Sequence, residues 1–343
     1  MFSKKLQIAN FELSNNSKSL IIAEIGINHE GSFQKCLELI AKAKNSGANL
    51  VKLQIADPGT DYMKKTKSFR IFKKIAFSKE EIFNIYKFCK SKKIKIFSTF
   101  GRKNFGFFKK LNQCCYKISS SLFNDFFFID EILKLKKPVL LSSGVSELKD
   151  IDLLLKLIQK KNYRNIAILH CRSLYPTRFS KLNLSRISYL RSKYGIITGF
   201  SDHSKGIEAP IASIHYGSKI IEKHFTINDK RKGYDHHISL SPKMFKEMVD
   251  KIRINEKMVG THNYKIDDIR SDFKKIKKIS RSFVLLKNVK ENKFIKKNDF
   301  TLMRTPTSEN FSKFHEIFPK ILKNKTKKNF KAGSVLKLTS FKK

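Results

Sequence analysis

Tryptophan is absent from the 343 residues, and acidic side chains are scarce: 29 Asp and Glu stand against 72 Lys and Arg, a formal net charge of +43. A field of that sign attracts anions of every kind, from nucleic acid to small phosphates. The accompanying abundance of Lys, Ile, Asn and Phe is what an AT-rich genome produces, so the charge reads as solvated surface. The chain has no recognisable zinc finger or RNA-recognition motif, so no nucleic-acid partner is expected. No segment approaches the roughly 18 consecutive apolar residues that a membrane-spanning helix needs, and Met1 to Ser19 holds no signal-peptide core. Five cysteines (Cys36, Cys89, Cys114, Cys115, Cys171) form no CxxC pair and leave one odd, which fits a reducing cytoplasm without a disulfide framework. With 41% hydrophobic residues the chain is no disordered polymer, and its length suits two domains.

What is present is an alternation of short apolar runs and helical patterns from residue 20 to about 256. Strands are expected at Leu20 to Glu24, Leu50 to Gln54, Ile94 to Thr99, Tyr116 to Ser119, Val139 to Ser142, Ile166 to His170, Ile196 to Phe200 and Lys219 to Glu222. Between them lie helical periodicities, such as Phe33, Cys36, Leu37, Ile40 and Ala43 on one face, and a capping box formed by Ser78 and Glu81. Eight strand–helix units in this length predict a closed (β/α)8 barrel of the TIM type, spanning residues 1–260. The open doubly wound alternative lacks its Gly-rich loop, because Gly26 and Gly31 do not make GxGxxG. Residues 261–280 read as a polar linker, and 281–343 as a small β-rich domain with runs at Ser282 to Leu286, Phe300 to Met303 and Ser334 to Leu336.

In such a barrel the active site lies at the carboxyl ends of the strands, and every one of them ends in polar residues. They are Glu24, Asn28 and His29; Lys52 and Gln54; Thr99; Lys117 and Ser120; Ser142 and Ser143; His170 and Tyr175; Ser201, Asp202 and His203; Glu222 and His224. Side chains two apart on a strand share a face, so Lys52 and Gln54 point one way, as do Glu222 and His224. Lys52 and Lys117 then project into the barrel mouth. A buried, unpaired ammonium is costly, so two of them imply a ligand with at least two negative groups, unless they pair with Glu24 or Glu222. His203 and His224 end neighbouring strands, about 4.8 Å apart. Both can reach one divalent ion such as Mn²⁺, Zn²⁺ or Fe²⁺, with Asp235 as a further carboxylate nearby. His215, His237, His262 and His315 read as surface residues.

The segments Ile22-Ala23-Glu24-Ile25-Gly26-Ile27-Asn28-His29-Glu30-Gly31, Val51-Lys52-Leu53-Gln54, Gly199-Phe200-Ser201-Asp202-His203-Ser204 and Ile221-Glu222-Lys223-His224-Phe225-Thr226 resemble the sialic acid synthase family in order and spacing. The C-terminal part resembles that family's small antifreeze-like (SAF) domain. The resemblance implies condensation of phosphoenolpyruvate with the open-chain aldehyde of an N-acetylated amino sugar, giving a nine-carbon 2-keto acid and phosphate. It implies phosphoenolpyruvate binding by Lys52, Thr99, Lys117, Ser120, Ser142 and Ser201, with Asp202 beside them. Glu24, Gln54, Tyr175 and Asp235 would contact the sugar or manage protons. His203 and His224 would hold the metal, Mn²⁺ first, with Mg²⁺ or Co²⁺ as substitutes. It also implies a domain-swapped homodimer in which Arg304 reaches the partner's barrel, although the family's Arg-Pro-Gly is here Arg304-Thr305-Pro306.

Three departures fall on the sugar side. Leu122 stands where the family has Glu, Ser173 where many relatives have Asn, and Arg178 where Pro is frequent; the segment Ala56 to Phe77 is short and basic. They leave two other readings open: a changed sugar specificity, or a catalytically degenerate homologue that binds a sugar or phosphate.

Overall fold

The computed structural model describes residues 2–260, 280–306 and 314–342. The chain divides into two compact units, Met1–Gly260 and Thr261–Lys343. The linker expected at 261–280 falls, but for Ser280, outside the described residues, as does His262.

The first unit opens with a hairpin of β1 (Leu6–Ile8) and β2 (Phe11–Leu13). Eight parallel strands follow: β3 (Leu20–Gly26), β4 (Leu50–Gln54), β5 (Ile96–Thr99), β6 (Tyr116–Ile118), β7 (Val139–Ser142), β8 (Ile166–Cys171), β9 (Ile197–Asp202) and β10 (Ile220–His224). Hydrogen bonds run in the order β5-β4-β3-β10-β9-β8-β7-β6. The β3–β10 ladder brings first and last strand together and curls the sheet into the expected barrel, nearly closed. At the β5–β6 seam no backbone ladder forms among the described residues. The Gln113 side chain accepts instead from Ser98 N at 2.5 Å, which satisfies an edge amide that would otherwise be orphaned.

Helices pack outside, each set by local chemistry. The helix Phe33–Asn45 starts where Ser32 accepts from Lys35 N, and it buries Cys36, Leu39, Ile40 and Ala43. The helix Lys79–Ser91 begins at the capping box expected from Ser78 and Glu81.

The strands' alternation divides the barrel in two layers. Ile21, Ala23, Val51, Leu53, Ile118, Val139, Leu141 and Ile168 face the helices. Leu20, Ile22, Leu50, Phe97, Cys115, Leu140, Ala167, Leu169, Ile197 and Ile220 face inward and form a separate apolar cluster with Leu6, Ile8 and Leu13 of the hairpin. These inward residues start their strands, so the hairpin plugs the amino-terminal end. Only the carboxyl end is left for chemistry.

The second unit pairs β11 (Arg281–Leu285) with β12 (Phe300–Arg304) in antiparallel register, and Val335 bridges to Val284. A helix, Phe314–Lys323, contributes Ile317 and Ile321 to a core with Phe283, Leu285, Val289, Ile295, Leu336 and Phe341. The sequence reading had foreseen the β-runs but not this helix.

Candidate active site at the barrel mouth

The inward positions that follow the apolar layer are polar on almost every strand: Glu24, Lys52, Thr99, Lys117, Ser142, Cys171, Ser201 and Glu222. All of these are buried. Lys52 Nζ lies 2.8 Å from Glu222 Oε1 and also forms an ion pair with Glu24. Lys117 Nζ sits 2.9 Å from both Glu222 oxygens, and Ser201 Oγ donates to Glu222 Oε1 at 3.0 Å. This corrects the sequence argument: the lysines do point inward, but glutamates pair them, so the ammonium groups alone do not demand a dianion. Two positive and two negative groups balance.

Electrostatics divides the cluster unequally. Burial opposes ionisation of Glu222, but Lys117 and Lys52 outweigh it and hold the carboxyl well below its usual range. Burial brings Lys52 down to about 8, against the pull of Glu222. Each ammonium has three donors, so the clamp orients both nitrogens without exhausting them. Ser142 Oγ, buried in the same layer, has no hydrogen-bond partner among the described residues. A buried hydroxyl left so is expensive unless something else satisfies it.

Two imidazoles stand beside the clamp, ring centroids 5.4 Å apart. His203 Nδ1 lies 2.8 Å from the Arg172 carbonyl. A carbonyl only accepts, so Nδ1 carries the proton and Nε2 keeps its lone pair. His224 Nδ1 is buried without a partner, 3.7 Å from Asp235 Oδ2. Burial, then His203 and Lys52, keep this ring neutral, with its proton affinity well below normal. Burial also pushes Asp235 upward, against His203 and His237. Tyr175 stacks on His203 at 4.2 Å. Burial opposes a charge on His203, but its contacts with Cys171, the Arg172 carbonyl and Asp202 outweigh burial and raise its proton affinity. Once it gives up that proton, the two rings are lone-pair donors beside the Asp235 carboxyl and fit a divalent cation that takes its remaining ligands from water or substrate. No group of three His, Cys, Asp or Glu side chains among the described residues makes a complete ligand set alone.

Gly26 makes this packing possible. Its φ is +55°, and a Cβ there would lie 3.2 Å from His224 Cε1 and 3.4 Å from Asp235 Oδ2. Gly26→Ala is therefore expected to cost about 1 kcal/mol or more of stability and to lower turnover by displacing the His224 ring. Denaturation curves and steady-state rates check this; a variant unchanged in both would contradict it.

Residues 39–264 match the NeuB family. The chain belongs to the NeuB family. Pseudaminic acid synthase from Campylobacter jejuni is 28% identical over 98% of this chain and 100% of its own length. Spore coat polysaccharide biosynthesis protein SpsE from Bacillus subtilis is 33% identical over 73% of this chain and 71% of its own. The crystal structure of N-acetylneuraminic acid synthetase from Leptospira borgpetersenii superposes with a TM-score of 0.75 at 28% identity, covering 81% of this chain and 98% of that one. The chain is thus an enzyme of the sialic acid synthase type.

Other expected site residues of this NeuB chain fall around the mouth. Thr99 Oγ1 donates to Leu53 O at 3.4 Å, and Ser120 Oγ accepts from Gly144 N at 3.0 Å. Gln54, half-buried, lines a small pocket with His29 and Phe77. Asp202 does not join them. It alternates with Ser201 and so faces the helices, where its carboxylate is fully buried 2.6 Å from Lys223 Nζ and accepts from Ser204 N. Its assignment to substrate is corrected: it is a buried ion pair behind the wall. His170 likewise faces outward, its Nε2 2.6 Å from Leu182 O. Arg304 is exposed at the end of β12. Leu122 ends a short turn and packs against the outer core, so this chain puts apolar contact where the resemblance led us to expect a charge.

Glu222, expected at a strand end as a possible partner of the lysines, takes that place. One residue of the site escapes the sequence reading. Cys171 ends β8 on the lumen side, 3.7 Å from His203 Nδ1. Burial raises its thiol, but the contacts with His203 outweigh that and leave it below its ordinary value. Its parity with Ala167 and Leu169 was the legible clue.

Proposed function

We propose that this barrel condenses phosphoenolpyruvate with the open-chain aldehyde of an N-acetylated amino sugar, N-acetylmannosamine or a 2,4-diacetamido relative, releasing a nine-carbon 2-keto acid and phosphate. The observation that carries the reading is the buried Lys52–Glu222–Lys117 clamp, set beside the orphaned Ser142 hydroxyl and the imidazole pair. Lys52 and Lys117 turn their remaining N–H donors to the phosphate and carboxylate. Charge-assisted hydrogen bonds of this kind are roughly twice as strong as neutral ones. Ser120, Ser142, Ser201 and Thr99 add hydroxyls, and Ser142 gains the partner it lacks. His203 and His224 would hold a divalent cation, Mn²⁺ first, which when bound supplies Lewis-acid polarisation of the aldehyde oxygen. Asp235, pushed toward its protonated form, is placed to exchange a proton beside that oxygen. Tyr175 covers the His203 ring and shields it from water. In the same reading the chain works as a homodimer, with Arg304 of one protomer reaching the sugar in the other's barrel.

The test is phosphate release from phosphoenolpyruvate with each sugar and Mn²⁺. Release dependent on one of the sugars supports the proposal. Binding of phosphoenolpyruvate without release under any of them would instead favour the degenerate binder that Leu122 suggests.

A pH dependence follows from Lys52. Its ammonium loses its proton near pH 8, and only the charged form pairs with an anion. The Michaelis constant for phosphoenolpyruvate is expected to rise as pH passes through about 8. A value flat from roughly pH 7 to 9.5 would contradict this role for Lys52.

A further inference from the structure

We infer that the outer flank of the barrel, beside β7 and β8, carries a second anion site. It is a cavity of about 370 Å³ that takes a small organic anion, its oxyanion head held by Arg172 and Arg186 and its apolar body lying on Leu148, Ile151 and Leu190. The volume is within the range of small-molecule sites. The cavity lies between the amino-terminal turn of the helix Leu148–Lys160 and the helix Ser185–Tyr194.

Four observations converge on it. Neither guanidinium has a carboxylate partner among the described residues; Arg172 spends only Nε, on Lys181 O at 3.0 Å, and leaves its forked end uncommitted. Such forks match carboxylate and phosphate geometry. Ser146 Oγ, on the same lining, is buried with no hydrogen bond among the described residues. Buried hydroxyls are satisfied in nearly all folded proteins, so this one asks for a partner. His170, 2% exposed, commits Nε2 to Leu182 O and forms part of the cavity's inner wall. Burial, with the charges of Arg186 and Arg172 adding to it, lowers His170 to about 4, so both arginines are felt at the cavity's inner wall. Glu147 is the one carboxylate on the lining, against two arginines.

The site is separate from the barrel mouth. His170 faces the helices while Cys171 faces the lumen, so the wall of β8 stands between the two. Arg172 touches both sides: its side chain lines the cavity, and its carbonyl accepts a hydrogen bond from His203 Nδ1.

The test is calorimetric titration of phenyl phosphate and of benzoate, each a single oxyanion on an apolar ring, into wild type, Arg186→Ala and Lys117→Ala. The phosphate and carboxylate heads distinguish the two sources of such an anion. Arg186 is exposed and lies outside the proposed catalytic machinery, so its loss leaves the fold and the barrel mouth intact. At least one probe should bind wild type, weaken about tenfold or more in Arg186→Ala, and keep its affinity in Lys117→Ala. Any other pattern overturns the inference, including no binding by either probe or loss in Lys117→Ala alone. Because the readout is binding and not turnover, it stands or falls independently of the proposed reaction.

Discussion

Glu222→Gln is expected to lower the unfolding free energy by about 3 kcal/mol or more at neutral pH, because breaking a buried pair leaves a charge without compensation. The carboxylate serves two ammonium groups at once. Lys52 retains Glu24 when it is lost, but Lys117 retains no carboxylate among the described residues. The amide keeps the shape of the side chain and can still accept one hydrogen bond, so cavity formation contributes little. The same logic yields a rescue. An anion bound at the mouth supplies the missing negative charge, and a ligand that binds only the folded form stabilises it by mass action. Phosphoenolpyruvate should therefore stabilise Glu222→Gln more than it stabilises wild type. Urea unfolding with and without the ligand measures both effects. An unchanged midpoint without ligand would mean that the clamp is not what holds the lysines in place.

His203→Ala and His224→Ala are each expected to reduce turnover by about three orders of magnitude, roughly 4 kcal/mol of transition-state stabilisation. Their unfolding free energies should move no further than the ~0.5–3 kcal/mol of an ordinary substitution. The asymmetry between activity and stability is the point. Neither ring is essential to the core: His224 Nδ1 has no hydrogen-bond partner among the described residues, and His203 contributes a bond to Arg172 O, a contact with Cys171 Sγ and a stack with Tyr175. Steady-state phosphate release, set beside denaturation curves of the same preparations, checks this. Retention of activity in both variants would remove the cation from the account.

Much of this architecture was legible in the chain because the barrel's outer layer is largely apolar. Residues such as Val51, Leu53, Val139 and Leu141 give each strand its signature. The expected bounds of β3, β8, β9 and β10 stop too early, where chemistry begins. β9 and β10 run on to Asp202 and His224, and Glu222 and Lys223 pair in register with Ser201 and Asp202. Their polarity hides them from a reading by hydrophobicity, although all four are buried. The hairpin of β1 and β2 was invisible because three residues per strand carry too little alternation; only its docking on the inward cluster makes it stable.

The site's membership was readable, its wiring less so. Parity put Lys52, Lys117, Glu222 and His224 in the lumen, and that inward placement is what the fold shows. Parity also separates Asp202 from Ser201, and the fold puts its carboxylate in an ion pair with Lys223 on the other side of the strand. The pairing of the lysines depends on distances across the barrel between residues 105 and 170 positions apart. No local pattern encodes these, so the balance between an empty cationic mouth and a neutral clamp could be decided only in three dimensions.

The most direct test of the central claim is calorimetric titration of phosphoenolpyruvate, without sugar, into wild type and Lys117→Ala. The account predicts saturable binding to wild type at one molecule per chain, weakened about 10- to 100-fold in the variant by loss of a charged hydrogen bond. Equal affinity in the two proteins, or no binding to wild type, would contradict it.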